Sequence, residues 1–441
     1  MSLLGASAPG RSLLSPSAAI LEAPRPSTRE EATVEGGRAP WVLVLLVLAL
    51  LLPTELSLNL GGLRLTPYRI VLLWTFLPTI TGLGAVVGRL HLADRALIGF
   101  CGWALIALLL RDGPVRMVES GGIFLVESLG AYLLARRYVR SAADLLAVAR
   151  LLFLAMVVLA LVAIPESLTG ERFVHDIAGG LFGNRPPMEV EGRLGLERAY
   201  GPFDHPILYG TFCAAGFSLS RVASGAWPNP VKDLGRAGIV ALAALASLSS
   251  GCIMAVLLQM GLASYSALLR GFAARWKLLS AVLISGYCLV SLVSDRSGLK
   301  AILWYVTLSR DTAAYRIMIW DHAGENISRH PLLGIGVENW VRPSWMPESV
   351  DSFWLVLTLN FGLPAVAMLV VGVVWLLFRA GRAQGGLAER RLRSAWCMTF
   401  AALLFTGFTV HYWNNMFVLF FFLLGCGGWF ADDRPGVEAE A

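Results

Sequence analysis

Charge is what this sequence has least of. Only 15% of its 441 residues are Asp, Glu, Lys or Arg, against 56% hydrophobic, whereas a soluble domain carries roughly a quarter charged residues. With a mean hydropathy of +0.66, that scarcity excludes a conventional soluble domain over most of the chain. Cysteine is sparse as well. The six present (Cys101, Cys213, Cys252, Cys288, Cys397 and Cys426) lie in or beside apolar runs and form no Cys-x-x-Cys pair. They read as small core residues rather than disulfide partners or metal ligands. A P-loop, a Gly-x-Gly-x-x-Gly fingerprint and a His-Glu-x-x-His helix are all missing, which argues against an ATPase, a nicotinamide enzyme and a zinc protease. Neither a cofactor nor a metal is expected. Residues 1–40 lack the basic start, compact apolar stretch and small-residue cleavage site of a signal peptide. Ser, Pro, Ala and Gly dominate there, as in a disordered cytoplasmic tail.

Apolar runs fill the remainder. About 20 mostly apolar residues are needed to cross roughly 30 Å of hydrocarbon. Candidate spans lie near residues 41–58, 67–88, 96–111, 118–135, 144–165, 205–221, 237–251, 252–269, 278–294, 351–378, 394–410 and 414–431. The expectation is an all-α polytopic membrane protein of about 12 transmembrane helices. Between the seventh and eighth spans, Ser249-Ser250-Gly251 marks a turn or a broken helix. The net charge of +6 would suggest nucleic acid in a soluble protein. Here it belongs to connections on one side: RLHLADR around Arg89, RRYVR from Arg136, the stretch Arg221 to Arg236, RGFAARWK from Arg270 and RAGRAQGGLAERRLR from Arg379. Basic connections stay in the cytoplasm, so both termini are expected there, with the Arg111/Arg116 connection a mild exception. The predicted organisation is a tail over 1–40, helices one to nine over 41–294, a large extracytoplasmic loop over 295–350, helices ten to twelve over 351–431 and a second cytoplasmic tail over 432–441.

Two long connections thus face outward, near 166–204 and 295–350, and connections of such length are uncommon without a function. The larger contains WYVTLSRDTAAYRIMIWDHAGENISRHPLLGIGVENW, whose apolar spacing suits one or two short amphipathic helices. The chain shows no internal repeat, which weighs against an inverted-repeat transporter. Charged residues at the membrane rim are the informative ones. Arg198, in ERAYGPFDHP ahead of the sixth span, either snorkels to lipid headgroups or grips phosphate oxygens in bidentate fashion. Arg316 in AYRIMIWDH either solvates the loop or does the same. His330 opens the tight turn HPLLGIG and is either structural or catalytic. Asp351 stands where the tenth span begins. An Asp or Ser there is an ordinary helix cap, and the alternative is a carboxylate poised to take a proton from a sugar hydroxyl. Two readings stand for Glu127, deep in the fourth span: a protonated acid bonded to a neighbouring helix, or a group lining a cavity.

Taken in order, four stretches resemble the O-antigen polymerase and ligase family of bacterial envelope glycosyltransferases. ERAYGPFDHPILYG looks like its Arg-x-x-Gly-x-Phe entry to a span. SLSSGCIMAVLLQ is similar to its Ser-Arg-Gly helix motif, with Ser250 where Arg is usual. YRIMIWDHAGENISRHPLLGIGVENW looks like its Arg-bearing loop and His-Pro-Leu-x-Gly-x-Gly turn. DSFWLVLTLNFGLPA is similar to its final motif. The resemblance covers roughly 195–365. The last motif opens with Asp351-Ser352 instead of the His-Asn of the ligases, and resembles exopolysaccharide polymerases.

That resemblance implies an extracytoplasmic polymerase in the bacterial inner membrane. It would transfer a glycan from undecaprenyl diphosphate to a sugar hydroxyl on an acceptor glycan, without a metal, because diphosphate is already a good leaving group. Arg198 and Arg316 would neutralise charge on the leaving diphosphate, and Asp351 would act as base or orient the acceptor. His205, His330, Arg342, Tyr200 and Glu127 would bind substrate. The implied partners are the lipid-linked glycan, the acceptor, the bilayer and a chain-length regulator, with no nucleic acid. A ligase acting on lipid A core and a lipid-linked oligosaccharide flippase are the alternatives. The flippase predicts several intramembrane charges and a pseudo-symmetric chain, and leaves the Arg-bearing loop without a role.

Overall fold

The computed structural model describes residues 37–60, 63–87, 90–182, 190–225, 229–293, 298–306, 310–337 and 340–432. The two expected tails, 1–40 and 432–441, lie outside these apart from 37–40 and 432. Helix dominates, because a helix satisfies its own backbone polar groups where water is absent. In chain order come α1 (Trp41–Leu50), a hairpin of β1 (Leu58–Leu60) and β2 (Leu63–Leu65), and α2 (Pro67–Val87). The long run Leu92–Tyr138 follows. Next are α5 (Ala142–Thr169), α6 (Phe173–Phe182), α7 (Pro206–Ala215), α8 (Phe217–Val222), α9 (Pro230–Leu245), α10 (Ser250–Leu268) and α11 (Arg275–Val293). The outward loop of the sequence analysis holds α12 (Gly298–Val306) and α13 (Arg310–Arg329), and the chain closes with α14 (Phe353–Arg382), α15 (Leu387–Thr406) and α16 (Asn415–Cys426).

Among the described residues, five helical runs are long and apolar enough to cross a membrane: Leu92–Tyr138, Ala142–Thr169, Ser250–Leu268, Arg275–Val293 and Phe353–Arg382. The chain is an integral membrane protein, and the count of about 12 spans is coarser in the structure than the sequence suggests. The first span illustrates why. It is expected over 41–58, but α1 has only 10 residues, about 15 Å of rise. Pro53 has no N–H to continue the helix, and the chain turns into the β hairpin. The run Leu92–Tyr138 is the opposite case. It folds back at Gly113, which has φ 83° and ψ 176° and is followed by Pro114, giving two arms, α3 before Gly113 and α4 after it. Their antiparallel pairing is explicit. Asp94 accepts from Tyr132 at 2.7 Å and from Arg136 at 3.0 Å, Cys101 meets Ser128 at 3.4 Å, and Leu105 packs on Gly121.

A second glycine kink shapes the far side of the molecule. In α14, Gly362 has φ 81° and ψ 172°, and Pro364 brings no N–H. The backbone groups freed by this break do not stay unpaired. Leu359 and Asn360 carbonyls accept from the N–H groups of Ile335 (2.7 Å) and Gly336 (3.2 Å), and the Leu363 N–H donates to Pro331 O at 2.8 Å. The His-Pro-Leu-Leu-Gly-Ile-Gly turn is therefore the plug for a broken helix, as irregular backbone at membrane depth requires. Beyond the kink, α14 runs antiparallel to α3, with Met368 on Gly99 and the Trp375 ring tilted against His91 at 4.9 Å between centroids.

At the centre lies α16, every residue of which is buried, as expected of a helix apolar on all sides. Its phenylalanines interlock with Phe100, Phe124, Phe353 and Phe400. Among the described residues the basic connections collect at one end of this bundle, where Arg136 pairs with Asp432 (2.9 Å) and Arg391 with Asp233 (2.6 Å), and Arg89 lies outside the described residues. The opposite end holds the Gly113 turn, the 331–350 loop and the segment between α6 and α7. Four of the six cysteines are buried, Cys397 is half-buried, and Cys288 is exposed on α11.

Candidate active site at the break between α9 and α10

The predicted break near Ser249-Ser250-Gly251 is present: α9 ends at Leu245 and α10 starts at Ser250. A helix that stops leaves its last carbonyls without partners, and the strand of chain ahead of α7 supplies them. Ala199 N–H donates to Ala246 O (3.0 Å), Arg198 Nε to Ser247 O (3.0 Å) and Arg193 Nη1 to Leu248 O (3.1 Å). The turn itself passes through Leu248 at φ 48°. On its other side Ser249 makes no side-chain cap on α10, so the positive end of a 19-residue helix dipole opens toward the same place.

Arg198 is only 5% exposed. Its Nη2 has no hydrogen-bond partner among the described residues. Burial, reinforced by the like charge of Arg193, brings its pKa down to about 10. From the loop side, α13 delivers Arg316, also 5% exposed. Burial lowers its pKa, Asp351 opposes that shift and Arg193 adds to it. Both arginines also feel Cys252 in the first turn of α10. Asp351 completes the group. Burial raises its carboxyl above the usual range, and Arg316 pulls it back. Arg193, Arg198, Arg316 and Asp351 therefore share one electrostatic neighbourhood around the helix break. Burying guanidinium groups beside a like charge is costly without an anion, and a fork of N–H donors at a helix start suits phosphate oxygens.

Capping, the alternative for Asp351, goes to its neighbour. Ser352 Oγ accepts from Leu355 N–H at 3.3 Å and donates to Gly407 O at 3.1 Å. Phe353 N–H, shared between Gly407 O and Val410 O at 2.9 Å each, clamps this end of α14. Tyr315, next to Arg316, has a buried hydroxyl without a hydrogen-bond partner among the described residues. Burial and the nearby Asp351 raise its pKa, while Arg342 lowers it.

The other sequence candidates are spread around this centre. His205 caps α7, its Nδ1 accepting from Ile207 N–H at 3.1 Å, and burial together with Arg198 brings its pKa down to about 4. It is a neutral neighbour of the arginines. Tyr200 is buried, with Arg172 4.4 Å above its ring, and its N–H donates to Glu166 at 3.2 Å, so it fixes the segment that carries Arg198. Arg342 binds within its own loop, to Met346 O (2.9 Å) and Glu348 (3.2 Å). His330 is not brought to the site. It follows the last turn of α13, about 20 Å from Arg316 by helical rise, and meets Arg111 at 3.0 Å.

Glu127 contacts a neighbouring helix and also faces a cavity. It sits in a π-helical turn, Val126–Gly130, and pairs with Arg69 at 2.7 Å. It also lines a cavity of about 240 Å³ with Arg69, Phe353, Asn360, His411 and Asn414. A second cavity of about 340 Å³ adjoins it through Asn360 and His411 and reaches Trp340, Glu348 and Val350. Arg193, Tyr315 and His411 were not singled out by the sequence. Arg193 had a signal, since RLGLER places two arginines five residues apart. Tyr315 lay inside a quoted motif without being picked out of it, and His411, between the last two candidate spans, had no signal.

With that geometry in view, comparison with protein families is decisive for residues 237–370, which match the model described as O-antigen ligase. Residues 237–370 are similar to an O-antigen ligase domain. The O-antigen ligase match takes in the helix break, α10, Arg316, Asp351 and the Gly362 kink, and leaves out Arg193, Arg198 and His205. Its family implies glycan transfer in polysaccharide biosynthesis. No curated protein matches the chain.

Proposed function

We propose that this protein is an extracytoplasmic glycan polymerase using undecaprenyl-diphosphate-linked oligosaccharide as donor. The observation that carries the reading is the convergence of buried Arg198 and Arg316 with Asp351 at the opening of α10. A diphosphate bound between the arginines and the α10 N-terminus would have its developing charge neutralised as the bond from the anomeric carbon to phosphate oxygen breaks. The acceptor hydroxyl attacks that carbon from the opposite face, with inversion, and its proton passes to the Asp351 carboxylate. Asp351 suits this role because burial raises its proton affinity while Arg316 keeps the ionised form available. The adjoining cavities lined by Trp340, Asn360 and His411 offer aromatic and amide groups of the kind that hold sugars.

A second reading, transfer of a finished glycan to lipid A core, is favoured by the ligase description of the matching domain. Purified protein supplied with a lipid-linked repeat unit separates the two. A ladder of products, lost in Arg316→Ala and Asp351→Asn, supports polymerisation, and a single addition to lipid A core supports ligation. No glycosidic product, with movement of the lipid across vesicles instead, would sink both.

A further inference from the structure

At the end of the bundle remote from the arginine–aspartate site, an open-sided cavity of about 270 Å³ lies between α8, α10 and α15. Its polar lining includes Ser218, Arg221, Ser266, Arg390, Arg391 and Ser394, and one carboxylate, Asp233. Ser266 is sixteen residues along α10 from Ser250, about 24 Å by helical rise, so this is a separate place.

The carboxylate is already engaged. Arg391 Nη2 reaches Asp233 at 2.6 Å, Arg236 lies 3.9 Å away, and Ser224 donates to it. Arg391 also donates to Gly225 O at 3.2 Å. The side chains of Arg221 and Arg390 make no hydrogen bond or ion pair with a described residue, and they line the cavity as surplus positive charge. Below them Ser218 is 1% exposed, and its Oγ has no hydrogen-bond partner among the described residues. A buried hydroxyl left this way loses its hydration with nothing in return, and this one lines the cavity. Val222, Ala263, Ala267 and Met398 make the rest of the wall apolar.

We propose that this cavity binds the phosphate group of an anionic headgroup, with Arg221 and Arg390 meeting its charge and the Ser218, Ser266 and Ser394 hydroxyls meeting its oxygens. Guanidinium forks match tetrahedral phosphate oxygens. Basic pockets between membrane helices at the arginine-rich end are where lipid headgroups sit, and the apolar wall fits the glycerol and first methylenes. The inference is independent of the transferase reading.

The full-length protein in detergent, given phosphatidylglycerol, phosphatidylcholine or inorganic phosphate, tests it by native mass spectrometry and thermal shift. Retention of phosphatidylglycerol over phosphatidylcholine should fall about fivefold for each arginine removed, in Arg221→Gln and in the more exposed Arg390→Gln. It should fall further in Ser218→Ala. A stabilising shift with inorganic phosphate that is lost in the same variants, without a lipid preference, would place a soluble phosphate there and still support the site. Equal retention of both lipids by the wild type and all three variants, with no phosphate shift, would overturn it. Arg390→Gln lies at the rim, so the test survives a folding failure of Arg221→Gln.

Discussion

At the scale of single residues, the site depends on charges held away from water. Removing the Arg316 guanidinium in Arg316→Ala should lower the rate of glycan transfer about 10²- to 10³-fold, read as initial product formation with a lipid-linked donor. Asp351→Asn should cost about 10²- to 10⁴-fold if the carboxylate is the base. The pH profile has a definite sign. In the proposed reaction Asp351 acts as its carboxylate, and burial raises its pKa, so activity should be lost as pH falls through a value above that of an ordinary aspartate. In the same reaction Arg198 acts as a cation, and its pKa is brought down to about 10, so a second loss should follow as pH rises through that value. Rates measured across this range check both limbs, and an acid limb at or below the ordinary aspartate range counts against Asp351 as base. Of these groups, Arg198, Arg316 and Asp351 were legible in the sequence because a charge at a membrane rim needs a reason. Arg193 left only its spacing from Arg198 as a signal, since an exposed arginine in a polar stretch looks like any other until its contact with Leu248 O is seen.

Among the elements, the informative features are the interruptions. A membrane helix that breaks must hand its unpaired backbone groups to something, and here each partner is specific. The α9–α10 break is closed by the chain carrying Arg193 and Arg198, and the α14 break by the 331–336 turn. Gly362→Ala would force a side chain into a left-handed conformation and against Leu332 O. About 1–3 kcal/mol of strain should lower the melting temperature in detergent and release the turn, detectable as faster amide exchange at Ile335 and Gly336. Unchanged melting and exchange would mean that the kink relaxes without the turn. The sequence marked the first place through Ser249-Ser250-Gly251 and the turn through the paired glycines of HPLLGIG, but it read 351–378 as one unbroken span, without the break at Gly362. It could not say that the histidine of that turn lies at the far end of α13 from Arg316, because motif order along a chain carries no distance between motifs.

For the whole molecule, the separation of its two ends matters most. Arginine-bearing connections gather at one end, and the Arg198, Arg316 and Asp351 site occupies the other. A membrane-impermeant maleimide should therefore label Ser344→Cys in intact cells and Gly386→Cys only after permeabilisation. The reverse pattern would invert the orientation and exclude an extracytoplasmic active face. The sequence by itself determined that this chain is helical, lies in a membrane and keeps its basic connections together. Those properties are sums over neighbouring residues, and hydropathy and charge add up locally. Only the tertiary structure decided that the long run Leu92–Tyr138 folds back on itself, that α16 is the buried axis, and which charges meet. Arg198 reaches Ser247 across 49 positions, and Asp351 feels Arg316 from another element altogether. Such meetings depend on how helices pack and where they break, and an electrostatic neighbourhood exists only once packing has brought its members together.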